Sequence, residues 1–354
     1  MRVGLEISSS LSLHQTGVQR YVQGLLVGLS RIESVDVLRL LKVSRWRKRR
    51  LLPDSPIPTR WYAPLLGVSS AGLDLVHCVT PTLPYATWNA PMVVTVHDLY
   101  MARHATEITP LRRTRKLRSV LKVCACSAHI VVPTNTIKAE LAELLGDERK
   151  VTVIPHGLAD AFGNYDGCGN DRGDSDGTRK PPHPYLLTFC GGRRKNLHNT
   201  VEAFRQLKLD VDGFRILIIG APTLAERAAV GKRLPQACYS FSWGISDHQL
   251  ARAYANAAVV CYPSLYEGFG FPVLEGMAAG RPVVTTYKGA TAEVAGGYAE
   301  LVVAESSESI ASGIEAALDM KPYELDRARS HALRFSLDDS GRSLVDLYGD
   351  LTEL

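Results

Sequence analysis

The chain has 354 residues, 45% of them hydrophobic and 22% charged, which is enough for two domains with separate cores. No run of about 18 uninterrupted apolar residues occurs, arguing against a membrane-spanning helix, and the start MRVGLEISSS does not read as a secretion signal. Seven scattered cysteines without metal-ligand spacing fit reduced thiols in a cytoplasmic protein better than a disulfide framework. The net charge of +5 hides an asymmetry: residues 1–160 hold 21 Lys/Arg against 12 Asp/Glu, and the remainder 20 against 24.

In chain order, Arg2–Ser8 reads as a strand, and Val18, Tyr21, Val22, Leu25, Leu26 and Leu29 recur at helical spacing. No G-x-G-x-x-G separates the two, so a nicotinamide dinucleotide is not favoured. Strands follow at Val35–Val43, Leu73–Val79, Met92–Val96, Ile130–Pro133 and Val151–Ile154, with helices at Leu111–Cys126 and Ile137–Leu145. Such alternation implies a mainly parallel sheet covered on both faces. Two basic clusters, Arg45–Arg50 and Arg112–Lys122, carry the positive excess. Each is either a solvated face or a contact for an anionic membrane surface or a phosphorylated acceptor. No nucleic-acid recognition motif accompanies them, so nucleic acid is not expected as a partner.

Residues 163–182, rich in Gly, Asp and Pro, read as an interdomain linker. The second half then repeats the architecture. Strands are expected at Tyr185–Cys190, Arg215–Ile219, Tyr239–Trp243, Ala257–Tyr262, Val283–Thr286 and Leu301–Val303. Helices are expected at Asn196–Lys208, Thr223–Leu234, Ser246–Ala255, Ser307–Leu318, Tyr323–Phe335 and Ser340–Leu354. The implied layout is a domain at 1–160, the linker, a domain at 183–336 and a closing helix at 337–354, with a cleft between the two domains.

Chemistry concentrates in Tyr262–Pro282, YPSLYEGFGFPVLEGMAAGRP. Pro272 suits a first helical position and Gly280 the residue past the helix end, which puts Glu267 in the preceding loop and Glu275 in the first turn. Gly268 and Gly270 let backbone approach a ligand closely. A loop at the carboxyl end of a strand, feeding a helix, is where open α/β sheets bind ligands; an ordinary core unit with solvated or capping glutamates is the alternative. Arg193, Arg194 and Lys195 follow Gly191-Gly192 between a strand and a helix, where cations, helix dipole and free N–H groups favour phosphate. Gly17 precedes the first helix of the other half, and His97-Asp98 ends a strand. Asp210-Val-Asp212 has the spacing of a metal site but reads better as a turn, and Asp174-Ser-Asp176 lies in the linker. No metal site is expected.

The segment YEGFGFPVLEGMAAGRPVV resembles the E-x7-E signature of retaining nucleotide-sugar glycosyltransferases with two Rossmann-like domains (the GT-B fold). That family includes sucrose synthase and bacterial mannosyl-, glucosyl- and rhamnosyltransferases. TGVQRY at Thr16–Tyr21, VHDL at Val96–Leu99, VTVIPHG at Val151–Gly157 and GGRRKN at Gly191–Asn196 stand in the family order. The resemblance implies that Arg193, Arg194 and Lys195 hold the donor diphosphate, that Glu275 binds the ribose, and that Glu267 contacts the transferred sugar. Gly268, Phe269 and Gly270 would line the sugar and phosphate pocket, His97 would lie near donor and acceptor, and Gly17 would let its loop close on the diphosphate. The closing helix would cross back onto the N-terminal domain. In two places the sequence departs from the family pattern: the phosphate loop is short, and KGATAEV (Lys288–Val294) lacks a proline before Glu293.

The resulting expectation is a metal-independent, front-face hexosyl or deoxyhexosyl transfer from a nucleotide sugar to a sugar, lipid-linked or natural-product acceptor. The work would be done in the cytoplasm or at the inner membrane face, in polysaccharide or glycoconjugate biosynthesis. An epimerase or phosphorylase of the same architecture, a non-catalytic partner protein and a basic nucleic-acid binder are the competing readings.

Overall fold

The computed structural model describes residues 1–11, 16–42, 44–45, 52, 55–62, 72–81, 90–147, 150–163 and 182–353. Most of the expected linker (164–181) and most of the Arg45–Arg50 cluster (46–50) lie outside the described residues, as does Asp174-Ser-Asp176. The chain divides into two compact units, Met1–Gly157 with Phe335–Leu354, and Leu158–Arg334.

The first unit begins with β1 (Arg2–Glu6), α1 (Gly17–Ser30), β2 (Asp36–Lys42), β3 (Thr59–Tyr62), β4 (Leu75–Cys78) and β5 (Met92–Thr95). It continues with α2 (Pro110–Cys126), β6 (His129–Val132), α3 (Asn135–Leu145) and β7 (Val151–Val153). Among the described residues its sheet runs β3-β2-β1-β4-β5-β6-β7, parallel throughout. Strand order reverses between β1 and β4, so the loops after those strands open in opposite directions and leave a crevice at their carboxyl ends. β3 was not expected: TRWY is short, flanked by prolines and lacks an apolar run, and it sits at the sheet edge where such a strand is tolerated.

The second unit comprises α4 (Asp160–Gly163), β8 (Tyr185–Phe189), α5 (Leu197–Gln206), β9 (Arg215–Ile219), α6 (Leu224–Gly231), β10 (Tyr239–Ser242) and α7 (Asp247–Ala255). After these come β11 (Val259–Tyr262), α8 (Phe271–Ala278), β12 (Val283–Thr286), α9 (Ala290–Ala295), β13 (Glu300–Val302), α10 (Ser307–Leu318) and α11 (Pro322–Ala332). The order β10-β9-β8-β11-β12-β13 is again parallel, with its switch point between β8 and β11. β11, VVCY, is buried at every position, as a central parallel strand with helices on both faces must be. α9, only six residues between Gly289 and Gly296, was not expected, because one and a half turns carry too little periodicity to read.

The chain ends in α12 (Leu337–Thr352), which packs on α1 within the first unit. Its buried residues Leu337, Gly341, Leu344 and Tyr348 form one helical stripe. The crossing is close: a Cβ at Gly28 would meet the Leu337 carbonyl oxygen at 2.5 Å, and one at Gly157 would meet Leu337 Cα at 2.6 Å. Leu344 and Tyr348 complete the core formed by β1, β2, β4, β5 and α1; burying a side chain of Leu344's size is worth about 1.5–3 kcal/mol.

Candidate active site

In the second unit, the two loops at the β8/β11 switch point carry the residues singled out from sequence. β8 ends at Phe189, Gly191 and Gly192 take φ of 114° and 109°, and Arg193–Lys195 form one 3-10 turn. Asn196, left-handed at φ 59°, separates that turn from α5. Its amide donates to the carbonyls of Pro263 (2.9 Å) and Ala304 (2.6 Å), which fixes the cationic turn against the loop after β11. In contrast to the free N–H groups expected from the sequence, those of Gly191 and Gly192 are engaged. Both donate to Glu226 Oε1, at 3.1 Å each.

Lys195 and Glu267, 72 residues apart in sequence, meet here: Lys195 Nζ lies 2.8 Å from Glu267 Oε1. Arg194 Nη1 approaches Glu267 Oε2 at 3.8 Å. The Tyr262 hydroxyl accepts from Lys195 and donates to Glu267 Oε1 at 2.7 Å. Ser264 Oγ stands 2.9 Å from the same carboxylate oxygen and 2.8 Å from the Arg194 carbonyl. Burial alone would raise the Glu267 carboxyl; Lys195 first, then Arg194 and the hydrogen bonds outweigh it and bring its pKa down to about 2. Glu267 is therefore a fixed anion at neutral pH, and a poor proton carrier.

Gly268, Phe269 and Gly270 are buried where the loop turns into α8. Gly270 has φ 115°, and a Cβ there would strike Thr291 at 2.8 Å, so close approach of backbone explains this glycine. Glu275 departs from its expected place: α8 starts at Phe271 and has no acidic residue in its first turn. One position further on, Glu275 is buried and accepts from the Tyr254 hydroxyl at 2.8 Å. Asp210–Gly213 forms a turn after α5. Among the described residues no group of three or more His, Cys, Asp and Glu side chains is placed to hold a metal ion.

His97 and Gly17 belong to the first unit. Gly17 is the first residue of α1, whose N-cap Thr16 forms a reciprocal capping box with Gln19. His97, just past β5, has both ring nitrogens engaged: Nε2 lies 2.7 Å from the Val79 carbonyl, and Nδ1 lies 3.2 Å from His156 Nε2. A carbonyl only accepts, so Nε2 carries the proton and Nδ1 accepts from His156. The Tyr21 ring packs on both imidazoles, with centroids 4.8 and 4.4 Å away. Burial lowers the pKa of both histidines. Beneath them a second chain of polar contacts joins Tyr348 to His77, His77 to Thr95 and Thr95 to Tyr21.

Four residues near these sites went unassigned in the sequence. Tyr262 and Tyr254 look like ordinary core aromatics. Glu226 looks like a capping residue. His156 stands in the VTVIPHG match, which was its one visible signal.

With this geometry in hand, family models match most of the chain: "Glycosyltransferase Family 4" at residues 16–161 and "Glycosyl transferases group 1" at residues 178–332. The chain belongs to the group 1 glycosyltransferases. Of this family's members, a D-inositol 3-phosphate glycosyltransferase from Acidothermus cellulolyticus is 27% identical, over 74% of this chain and 62% of its own. Against the curated relatives matched first, the chain spans between 23% and 62% of their length. Among solved structures, sucrose-phosphate synthase from Thermosynechococcus elongatus superposes with a TM-score of 0.80 at 18% identity, covering 100% of this chain and 99% of that one. Anabaena HepE in complex with UDP-glucose superposes with a TM-score of 0.74 at 15% identity, covering 99% and 100%. Both likenesses show the fold, two Rossmann-like α/β units with parallel sheets.

Proposed function

We propose that this group 1 glycosyltransferase moves a hexosyl or deoxyhexosyl group from a nucleoside-diphosphate sugar to an acceptor hydroxyl, with retention and without a metal. The observation that carries this reading is the convergence of Lys195 and Arg194 on Glu267 at a sheet switch point, which pairs an anion-binding group with a sugar-hydroxyl acceptor. In this reading Arg194 and Lys195, with Arg193 beside them, hold the diphosphate. Glu267 accepts from a hydroxyl of the transferred sugar, and Glu275 holds the ribose. The amides of Gly268, Phe269 and Gly270 line the sugar and phosphate pocket. His97 stays neutral near the acceptor and shapes its pocket.

The bond from the anomeric carbon to the phosphate oxygen breaks, and its electron pair leaves with the nucleoside diphosphate. The acceptor oxygen bonds to the same face of that carbon, and its proton passes to the departing phosphate oxygen. Cations fixed before the reaction stabilise the charge that develops there, so no step requires a metal. Glu267, held as an anion by Lys195, Arg194 and Tyr262, is kept for hydrogen bonding and is not the nucleophile of a double displacement.

The test is thermal unfolding of the full chain with UDP, GDP, ADP and dTDP and their hexose conjugates. Selective stabilisation by one nucleotide and its sugars is expected, since a ligand that binds only the folded state raises the melting temperature. If none stabilises it, the donor assignment falls. Turnover without an acceptor would favour an epimerase, and dependence on inorganic phosphate a phosphorylase.

An anionic membrane surface is proposed as a further partner through α2. That helix carries Arg112, Arg113, Arg115, Lys116, Arg118 and Lys122 with no acidic residue, and Leu111 at its start is 81% exposed. Near such a surface each cation contributes about 1 kcal/mol. Co-sedimentation with phosphatidylglycerol vesicles is expected, and should be lost with neutral phosphatidylcholine vesicles or when Arg112, Arg115 and Arg118 become Gln. Equal binding to both vesicle types, or none, would count against the contact. Among the described residues no helix is long and apolar enough to cross a membrane.

A further inference from the structure

Glu226 has no part in the roles assigned above, yet it touches the cationic turn directly. It lies in the first turn of α6, where Oε2 accepts from the Thr223 N–H at 2.7 Å and closes a capping box. Its other oxygen, Oε1, reaches out of the helix to the Gly191 and Gly192 N–H groups. Both glycines have strongly positive φ, and a Cβ on either would meet nothing within 4 Å. Among the described residues nothing packs within 4 Å of either Cβ position, which leaves the turn dependent on its hydrogen bonds. Successive backbone N–H groups in such a turn make a concave anion site, and here a carboxylate of the protein fills it. Partial burial would raise the Glu226 carboxyl. Bonds from Thr223, Gly191 and Gly192 outweigh burial and hold it below the usual carboxylate range.

We propose that Glu226 is a positioning residue for the donor site: it fixes the Gly191–Gly192 turn and thereby aims Arg194 and Lys195. The inference rests on the reading that those cations hold the diphosphate. The strut is anchored at its base as well, because the Arg227 guanidinium stacks over the Trp243 and Phe241 rings, 4.9 and 5.2 Å from their centroids. α6 thus stands on β10 and reaches the turn after β8 through one side chain. Because the two glycine amides are already satisfied by Glu226, the diphosphate meets side-chain cations rather than these amides.

Two variants of the full chain separate reach from charge. Glu226→Gln keeps the reach but has one acceptor oxygen in place of two, so it can serve the Gly191–Gly192 N–H groups only by giving up the bond from Thr223 N–H. Glu226→Asp keeps the charge but is one methylene too short to serve both the cap and the turn. Inorganic pyrophosphate is the first probe, titrated calorimetrically into wild type and both variants, with melting temperatures as a check on folding. Glu226→Asp should bind pyrophosphate roughly 10-fold or more weakly, since a misplaced binding group loses most of its benefit. It should also raise the KM for the donor found in the nucleotide panel more than it lowers kcat. Glu226→Gln, which can still reach the turn with its single acceptor, should bind pyrophosphate more weakly than wild type but more tightly than Glu226→Asp. If Glu226→Asp binds like wild type, or Glu226→Gln binds as poorly as Glu226→Asp, the inference is overturned. Wild type that binds pyrophosphate but none of the nucleotides would sink the donor reading, while the comparison of variants still judges Glu226.

Discussion

Lys195→Ala is expected to lower kcat/KM by roughly 10²–10³-fold, the usual loss when one preorganised electrostatic group is removed from a transition state. The loss has two sources. The ammonium that would meet the leaving diphosphate is gone, and Glu267 loses the nearest of its cations, at 2.8 Å. Lys195 is also the leading reason that the Glu267 pKa lies near 2, so in the variant that pKa rises towards the ordinary carboxylate range. Steady-state kinetics and calorimetric titration with the nucleoside diphosphate check the prediction. Turnover and nucleotide binding both at wild-type level would remove Lys195 from the donor site.

Glu267→Gln should separate binding from turnover. The Glu267 carboxylate holds the same two cations, Lys195 and Arg194, that would receive a diphosphate. A neutral amide stops competing for them. The nucleoside diphosphate should therefore bind about 3–10-fold more tightly, the scale of a partly exposed ion pair worth about 1 kcal/mol. Turnover should fall about 100-fold, because the contact to the sugar is weakened where the anomeric centre becomes positive. Unchanged or weaker nucleotide binding would show that Glu267 does not compete for those cations, and normal turnover would end its role as a sugar contact.

The sequence revealed parts of this site and concealed others for a physical reason. β11, its loop and α8 are readable because an apolar run, glycines and a proline punctuate the chain locally. The cationic turn after β8 is readable for the same reason. What was hidden depends on partners far away in sequence. Tyr262 is an unremarkable strand aromatic until Lys195 and Glu267 close on its hydroxyl. Glu226 is a helix cap until its second oxygen finds a turn 34 residues upstream. His97 is expected near donor and acceptor from its strand-end place, but the Val79 carbonyl and His156 that take both its nitrogens are not implied by V-H-D. Glu275 missed its expected turn because Phe271, not Pro272, opens α8.

The return of α12 to the first unit governs the order in which the protein can be built. Residues 158–334 form an uninterrupted stretch and contain all they need for their own sheet and core. The unit that starts first is completed last: its residues 335–354 are made only after the entire second unit. Until then the cleft left by Leu337 between Gly28 and Gly157 stays open, and His77 waits for the Tyr348 hydroxyl. During synthesis, therefore, the second unit can be finished while the first still exposes the apolar face of α1.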